Sequence, residues 1–562
     1  MMNQITNRSH LGLLKKSLLA FACASGLTLT SAHAQVTTVF YILLENRNFT
    51  ANETSGGQQV VGSPAAPYIN SLITPGNPNA AQVSYASCYH NDIAVYNGSG
   101  PSIHPSEPQY VWMENGSNES KLDDNDPYGG TDSVDQIYNY MASTGNNMEN
   151  LSGLLQNAGI SWKSYTEEVN MLNTSGENFN TAGGTLSNNY AQPAQYTVPL
   201  VSFSGTSSSY TNAYNGSHQF NFACKHTGQL FFPTTNGSTV NTANTSTSNV
   251  EASHYPPLQQ LATDLANNTQ AAYNVITPDQ YNDMHTALSG GFTYKGVAYT
   301  GDSAQVAQGD NFCSIVVPEI MASPVYKAGH AAIVLWTDET EGTNQNDFNH
   351  TLTEIVISPL AKGNAYDSTL NYTHSSDLAT MQKIFGVTAN SPTGFLNDAA
   401  NASNATPNGV TGLSQIAGTA PYGTAFTQAE SPTGGFGTAT AQDLSDLFQP
   451  GVIPAALPGL NLTASGYSVN RKTGALSQTV KVTNALSGAI GNPIYLVVGG
   501  LSSNATLTNS AGTTVNNAPG SPYVLVSQNG LAAGASATVT LNYTGTGIIS
   551  STMSAVTTDA QP

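Results

Sequence analysis

The fold that this sequence predicts is an α/β domain with a largely parallel central sheet, followed by a small β-sandwich. Residues 36–390 alternate between apolar, strand-like runs and helical stretches, which is typical of a parallel sheet covered by helices. The runs contain few polar residues, so both faces of the strands should be buried. From about residue 455, charged residues almost disappear and short alternating runs recur between turn residues, the pattern of a β-sandwich.

Each predicted element rests on its own pattern. Stretches rich in β-branched and aromatic residues predict the strands of the first domain, at 36–44, 160–165, 273–276, 331–336 and 353–358. Candidate helices lie at 134–141, 150–157 and 377–385. Alternation of apolar and polar residues predicts the sandwich strands, at 477–482, 493–498, 523–527 and 537–543.

Two stretches lack clear periodicity. Residues 166–255 are rich in Asn, Ser, Thr, Gly and Tyr, and they predict a long insertion of loops and small strands that could form a lid. Residues 390–450 are similar and predict a linker or a wrap-around segment. We therefore expect one large domain over residues 35–450 and an accessory sandwich, for binding, spacing or stabilisation, over residues 455–562.

The first 34 residues have the features of a secretory signal peptide. A basic start with Arg8, Lys15 and Lys16 precedes a short apolar stretch at 18–29, and Ala-His-Ala at 32–34 offers a cleavage site. The apolar stretch is too short to span a bilayer comfortably, and a retained membrane anchor is the alternative. The sequence predicts a secreted or periplasmic protein without stable membrane insertion.

The mature chain is expected to be strongly acidic. Removal of the three basic residues in the signal peptide leaves 11 basic and 34 acidic residues, a net charge of −23. Such a protein is a poor partner for nucleic acid or for an anionic membrane surface. An anionic substrate would need local positive charge from a metal ion or from histidines.

Three cysteines remain after the signal peptide: Cys88, Cys224 and Cys313. An odd number allows at most one internal disulfide, and the sequence does not say which two residues would pair. The absence of a Cys-x-x-Cys spacing argues against zinc bound through thiolates.

Two acidic clusters follow predicted strands. Glu45 and Asn46 come directly after the first strand, and Asp338 and Glu339 follow the strand at 331–336. Ligands of α/β sheets bind at the carboxyl ends of strands, and carboxylate and amide oxygens suit hard cations. Adjacent carboxylates repel unless a cation lies among them, so the two clusters could share one metal ion. Taken separately, Glu45 could cap a turn and the acidic pair could be a solvated loop.

A serine and several histidines complete the candidate residues. Ser106 lies between two prolines at an expected helix start, where backbone N–H groups favour phosphate and help to ionise a hydroxyl. Serine at such a position is more often only an N-cap. Four histidines could donate to phosphate oxygens or protonate a leaving group, or they could be structural. They are His226, His285, His350 and His374.

These motifs, in this order, resemble a family of bacterial phosphoesterases that includes secreted acid phosphatases and non-haemolytic-type phospholipases C. The similarity lies in Glu-Asn-Arg-Asn-Phe at 45–49, His-Pro-Ser-Glu-Pro-Gln-Tyr at 104–110, Gly-Ile-Ser-Trp-Lys-Ser-Tyr at 159–165, Asn-Asp-Met-His at 282–285, Trp-Thr-Asp-Glu-Thr-Glu-Gly at 336–342, Val-Ile-Ser-Pro at 356–359 and His-Ser-Ser at 374–376. Two positions depart from the family pattern. Asn48 replaces the usual Ser or Thr, and Thr337 is inserted, so that Asp338 and Glu339 could exchange roles.

The resemblance implies an alkaline-phosphatase-like three-layer domain over residues 35–450, with one active-site metal ion. The implied metal ligands are Glu45, Asn46, Ser106, Asp338 and Glu339. The implied catalytic residues are Ser106 as nucleophile, His285 and His350 as phosphate contacts, and His104 and His226 in less defined roles. Oxygen ligands suit Ca, Mg or Mn and leave Fe and Zn open.

The activity implied by the resemblance is hydrolysis of phosphate monoesters, of the acid phosphatase type, because Ser106 occupies the position of the nucleophile. The first alternative is a phospholipase C acting on phosphodiesters of phospholipids. It ranks below the phosphatase because these family members more often carry Thr at the position of Ser106. The second is a non-catalytic secreted binding protein on the same fold. The expected partner is therefore a small phosphate ester or a phospholipid. The oligomeric state is left open.

Overall fold

A seven-stranded sheet lies at the centre of the computed structural model. The residues that the structure describes are 35–50, 59–91, 105–116, 124–128, 149–240, 242–341, 351–370, 372–387, 389, 395–396, 425–426, 439–440, 443–454, 459–470, 475–485, 493–514, 520–532, 534–545 and 549–557. In chain order the strands are β1 (Thr38–Leu44), β2 (Val83–Ala86), β3 (Trp162–Thr166), β4 (Tyr273–Thr277), β5 (Ala331–Thr337), β6 (Glu354–Ile357) and β7 (Tyr366–Ser368).

The order of these strands across the sheet is β7-β2-β6-β5-β1-β4-β3. Strand β6 runs antiparallel to both of its neighbours, and the other four pairings are parallel. The predicted, mostly parallel sheet is therefore confirmed, with five of its strands near the predicted positions. Strands β2 and β7 were not predicted, and they are only four and three residues long.

Side chains of β1 alternate between the two faces of the sheet. Tyr41 and Leu43 belong to one apolar cluster, whereas Phe40 and Ile42 belong to the other. All of them are buried. Because both faces are covered, the strand sequence is continuously apolar rather than alternating.

Helices cover both faces and make the domain three layers thick. The longer helices are α1 (Pro67–Leu72), α2 (Glu107–Asn115), α3 (Leu151–Asn157), α4 (Gln260–Asn267), α5 (Asp302–Ala322) and α6 (His374–Phe385). Helices α2, α3 and α6 contribute to the apolar cluster of Tyr41, and α1, α4 and α5 contribute to the cluster of Phe40. Short helical turns occur at Phe179–Ala182, Pro233–Asn236 and Pro324–Lys327.

Helix α5 is the longest of the described helices, and it was not predicted from the sequence. Residues on several of its sides are buried, including the consecutive Gln308, Gly309 and Asp310. A helix that is buried on several sides lacks the apolar stripe by which a surface helix is recognised.

Helix α6 begins at His374, three residues before its predicted start, because the Thr373 side chain caps it by accepting from Ser375 N at 3.2 Å.

The stretch 166–255 contains small strands and short turns. One two-stranded sheet joins Met171–Asn173 with Leu186–Tyr190, and another joins Phe203–Thr206 with Gln219–Phe222. Single helical turns follow at Cys224–His226, Gly228–Phe231 and Ala252–His254. A further hairpin outside this stretch pairs Phe292–Tyr294 with Val297–Tyr299.

The C-terminal region consists of two antiparallel sheets. One has the strands Leu460–Ala464, Ser468–Val469, Leu476–Asn484, Ala505–Leu507 and Ser536–Gly545. The other has Ile494–Gly499, Gly512–Thr513, Pro522–Ser527 and Thr552–Thr557. Val480 and Leu541 of the first sheet share an apolar cluster with Leu496 and Val524 of the second. The predicted β-sandwich is confirmed.

Several expectations concern residues outside the described ranges. These are the signal peptide at 1–34, the helix at 134–141, His104 and His350. A two-stranded pair joins Ala425–Phe426 with Ala439–Thr440 in the predicted linker. Residues 443–454, at its end, pack on the α/β domain, where Leu444 and Leu447 join the cluster of Tyr41.

Of the three remaining cysteines, Cys224 and Cys313 are free thiols, and all three, including Cys88, are buried. Among the helices that the structure describes, none combines the length and the apolar character needed to cross a bilayer.

Candidate active site

Strands β1 and β5 end side by side, and their ends place three carboxyl groups together. The two strands are parallel, and Leu44 pairs with Thr337. Glu45 and Asp338 are therefore the next residues at the same edge, where Asp338 N donates to Leu44 O at 3.2 Å. Thr337, the residue inserted relative to the family pattern, lengthens β5 by one paired residue. Asp338 and Glu339 nevertheless both place a carboxyl oxygen near Glu45.

Asn46 turns the chain sharply beyond β1. Its φ of 42° lies in the left-handed region, which Asn tolerates better than most residues. The backbone N–H of Asn46 donates to Asp338 Oδ1 at 3.0 Å, and its side-chain amide donates to Glu45 Oε2 at 3.1 Å. The turn thereby connects the two strand ends.

Helix α2 brings Ser106 to the carboxyl groups. Ser106 precedes the first residue of α2, but its side chain does not cap the helix. Its Oγ lies 3.0 Å from Glu45 Oε2 and 2.9 Å from Glu339 Oε1, and the single hydroxyl hydrogen can be donated to either. Ser106 is therefore more than the simple N-cap that its position allowed.

Tyr110 lies one turn beyond Ser106 in α2. Residues four apart project from the same face of a helix, so both hydroxyl groups reach Glu45. Ser106 faces Glu45 Oε2, and Tyr110 OH donates to Glu45 Oε1. Sequence reasoning did not select Tyr110, although its spacing from Ser106 was a usable signal.

The three carboxyl groups of Glu45, Asp338 and Glu339 are buried, and each offers an oxygen within 4.8 Å of the others. Burial, and then repulsion from Asp338 and Glu339, raises the pKa of Glu45 well above its usual value. Burial and the charge of Glu339 similarly raise the pKa of Asp338. A bound cation would relieve this repulsion.

Asp338 Oδ2 is buried and has no hydrogen-bond partner among the described residues. An oxygen in that position needs a proton or a cation. With Ser106 Oγ and the other carboxyl oxygens close by, the donor set is all oxygen and suits a hard divalent cation. The residues predicted as metal ligands are thus brought together, and they fit a metal ion.

His226 contacts the cluster at the same oxygen of Glu45 that Tyr110 reaches. Its Nδ1 lies 3.2 Å from Glu45 Oε1 and 3.7 Å from Asp283 Oδ2. Its ring stacks on that of Tyr110, with the centroids 5.1 Å apart. Burial lowers the pKa of His226 well below the usual value, which favours the neutral imidazole.

Asp283 was not selected from the sequence, although it lies within the Asn-Asp-Met-His motif. It is buried beside Glu45, and its backbone C=O accepts from Glu45 N at 2.7 Å. Its Oδ1 also accepts from His285 N at 2.8 Å. Burial, and then the charge of Glu45, raises the pKa of Asp283.

His285 is half-buried and lies beside His226, with the two ring centroids 6.1 Å apart. Its Nδ1 is 2.8 Å from Thr286 Oγ1. Burial, and then the positive charge of Lys225, lowers the pKa of His285 to about 4. The imidazole is therefore neutral near pH 7.

His374 has a different position from that expected of a phosphate contact. It is buried, and its Nε2 lies 2.7 Å from the backbone O of Asp338. Its Nδ1 lies 2.8 Å from Tyr89 OH, and Tyr89 also donates to Asp377. These bonds hold the backbone of Asp338 and orient a residue that carries a candidate ligand.

Two described basic residues that are close in sequence to members of the site are paired with acids. Arg47 forms an ion pair with Glu341 and lies 3.8 Å from Asp302, and its Nε donates to Met284 O at 3.3 Å. Lys225, next to His226, pairs with Asp124. Neither side chain is left with its charge unbalanced, so substrate charge must be offset by other groups.

The hydrogen bond from Tyr110 gives a direct test of this geometry. We expect Tyr110→Phe to weaken the binding of Mn²⁺ by about 10-fold to 100-fold, because Glu45 loses the donor that orients it. Calorimetric titration of chelator-treated protein measures the change. Tyr165→Phe is the matched control, because Tyr165 OH donates to Asp264, outside the cluster. Equal affinity in Tyr110→Phe and wild type would refute the assigned role.

Comparison with known proteins places this site in a family. A family model described as the phosphoesterase family matches residues 76–388, more than half of the chain. No curated protein sequence matches the chain. Ser106, Asp338 and Glu339 all lie within the matched region, and Glu45 precedes it.

Solved structures similar to the chain include the following three. One is a protein in the alkaline phosphatase superfamily from Vibrio parahaemolyticus, at 9% identity, 80% coverage of this chain, 77% of that chain and a TM-score of 0.33. The second is the lipoteichoic acid synthase LtaP from Listeria monocytogenes, at 10% identity, 64% coverage of this chain, 74% of that chain and a TM-score of 0.33. The third is the PsFucS1 sulfatase from Pseudoalteromonas sp., at 9% identity, 88% coverage of this chain, 82% of that chain and a TM-score of 0.34. These likenesses are weak, and the assignment rests on the match to the family model: the chain belongs to the phosphoesterase family.

Proposed function

We propose that this member of the phosphoesterase family hydrolyses phosphate monoesters, with Ser106 as the nucleophile beside one divalent metal ion. The observation that carries the proposal is the position of Ser106 Oγ, within hydrogen-bond distance of both Glu45 and Glu339. These two acids come from the ends of different strands. A hydroxyl and two strand ends at one point form a geometry suited to nucleophilic attack beside a cation.

Glu45, Asn46, Asp338 and Glu339, together with Ser106, would hold the metal ion. The close approach of the three carboxyl groups and the unpartnered Asp338 Oδ2 support this assignment. When bound, such an ion lowers the pKa of a coordinated hydroxyl and offsets the charge of the phosphate. The oxygen donors suit Ca, Mg or Mn, and Fe and Zn remain alternatives.

Ser106 attacks phosphorus in the proposed reaction. A bond forms between Ser106 Oγ and phosphorus as the bond from phosphorus to the alcohol oxygen breaks. The carboxyl groups of Glu45 and Glu339 lie within reach of the hydroxyl proton. The leaving alcohol oxygen takes a proton, and water then cleaves the phosphoserine and regenerates Ser106.

Neutral histidines are proposed to contact the phosphate oxygens. His226 directs Nδ1 towards Glu45, which leaves Nε2, buried and without a partner among the described residues, for the substrate. His285 lies next to it and is also neutral near pH 7. In a neutral ring one nitrogen donates and the other accepts. With Nδ1–H of His226 donating to Glu45, Nε2 is an acceptor, which suits the P–OH of a singly protonated phosphate monoester and adds no charge to the site. His104 and His350 are assigned to the same site by family resemblance alone.

Substitution of the nucleophile tests the mechanism. We expect Ser106→Ala to reduce hydrolysis of p-nitrophenyl phosphate by about 10³-fold or more, while a divalent ion remains bound. Initial rates and metal analysis of the same sample measure the two effects. Ser84→Ala, a buried serine in β2, is the control and should keep its activity. Substantial phosphatase activity in a metal-loaded Ser106→Ala protein would contradict the scheme.

The substrate class needs a separate comparison. We expect faster turnover of p-nitrophenyl phosphate than of p-nitrophenylphosphorylcholine, because the proposed substrate is a monoester. Measuring kcat/KM for both compounds with one preparation decides the point. The opposite preference would identify a phospholipase C, and metal-free protein inert towards both would support a non-catalytic binding role.

A further inference from the structure

A second cluster of buried carboxyl groups lies at the ends of β3 and β4, two neighbouring parallel strands. Glu167 and Glu168 directly follow β3, and Asp279 follows β4 by two residues. All three residues are buried, and each offers an oxygen within 4.8 Å of the others. The proposed catalytic mechanism uses none of them.

Neutral donors hold Glu167 and Glu168 in place. Glu167 Oε1 accepts from Asn212 Nδ2 at 2.7 Å and from Asn282 Nδ2 at 2.9 Å. Glu168 accepts from Tyr210 OH at 3.0 Å. Its other oxygen accepts from a backbone N–H at 2.9 Å. Among the described basic residues, none forms an ion pair with the cluster.

Asp279 provides an independent indication that a ligand binds. Its Oδ1 accepts the backbone N–H of Asn282 at 2.9 Å, so this end of the carboxyl group is satisfied. Its Oδ2 is buried and has no hydrogen-bond partner among the described residues. The carboxyl group of Glu168 lies close enough to interact with that of Asp279. A buried oxygen facing another carboxyl group requires a proton or a cation between them.

We propose that Glu167, Glu168 and Asp279 form a second divalent-cation site, suited to Ca²⁺. Carboxylate ligands lie about 2.3–2.6 Å from Ca²⁺, so oxygens on opposite sides of one ion are about 5 Å apart. The observed limit of 4.8 Å fits around a single ion. All available donors are oxygens, which favours Ca²⁺, Mg²⁺ or Mn²⁺ over softer metals.

This ion would have a positioning role for the candidate active site. It joins the residues after β3 to the turn that begins at Asp279. Asn282 of that turn bonds to Glu167, and the next residue, Asp283, lies beside His226 and accepts from Glu45 N. Fixing the turn therefore fixes the position of Asp283 beside the catalytic cluster.

Equilibrium dialysis of the full chain against Ca²⁺, with metal analysis, tests the proposal. We expect Asp279→Asn to bind one ion fewer than wild type. Asp310→Asn is the matched control, because Asp310 is also buried and accepts two backbone N–H groups, from Ile69 at 2.7 Å and from Tyr68 at 2.9 Å. It should bind as many ions as wild type. Equal binding by Asp279→Asn and wild type would overturn the second site.

A double substitution in the other cluster keeps the test decisive if Asp279→Asn does not fold. In Glu45→Gln/Asp338→Asn, one Ca²⁺ should remain bound and should raise the melting temperature. A protein with no bound Ca²⁺ would overturn the second site. Should that double variant keep every ion of wild type while Asp279→Asn loses one, the proposed catalytic metal would fail and the second site would stand.

Discussion

Repulsion among buried carboxyl groups is the constraint on which the candidate site depends. Glu45, Asp338 and Glu339 lie together because β1 and β5 are parallel neighbours whose ends are in register. The apolar strands are buried on both faces, so the chain cannot move one of these ends away without disturbing the core. The strand pairing that builds the sheet therefore also creates a concentration of negative charge at its edge.

The described side chains and backbone groups that donate hydrogen bonds to this cluster are neutral. Ser106, just before α2, and Tyr110, in its first turn, direct hydroxyl groups at Glu45, and Asn46 donates its backbone N–H to Asp338. The nearby Arg47 is occupied by Glu341. A buried group of acids without a basic partner is costly unless protons or a metal ion compensate it. This is the physical link between the fold and the proposed metal-dependent hydrolysis.

The main sheet could be predicted because its strands are continuous apolar runs, and the acids at their ends were visible as breaks in those runs. Helix α5 was missed because it is buried on several sides and has no apolar stripe. Tyr110 and Asp283 were missed because tyrosine in a helix and an acid in a turn have ordinary structural uses. Only the folded chain places their side chains beside Glu45. His374 could have been either a phosphate contact or a structural histidine, and the sequence alone does not show that it bonds to the backbone of Asp338.

Anomalous scattering from crystals equilibrated with Mn²⁺ would test the central claim most directly, because it locates the ion without reference to activity. The account predicts a peak bounded by oxygens of Glu45, Asp338 and Glu339 and by Ser106 Oγ, at about 2.0–2.6 Å from them. Full occupancy of Mn²⁺ elsewhere, with no peak among these four residues, would contradict it.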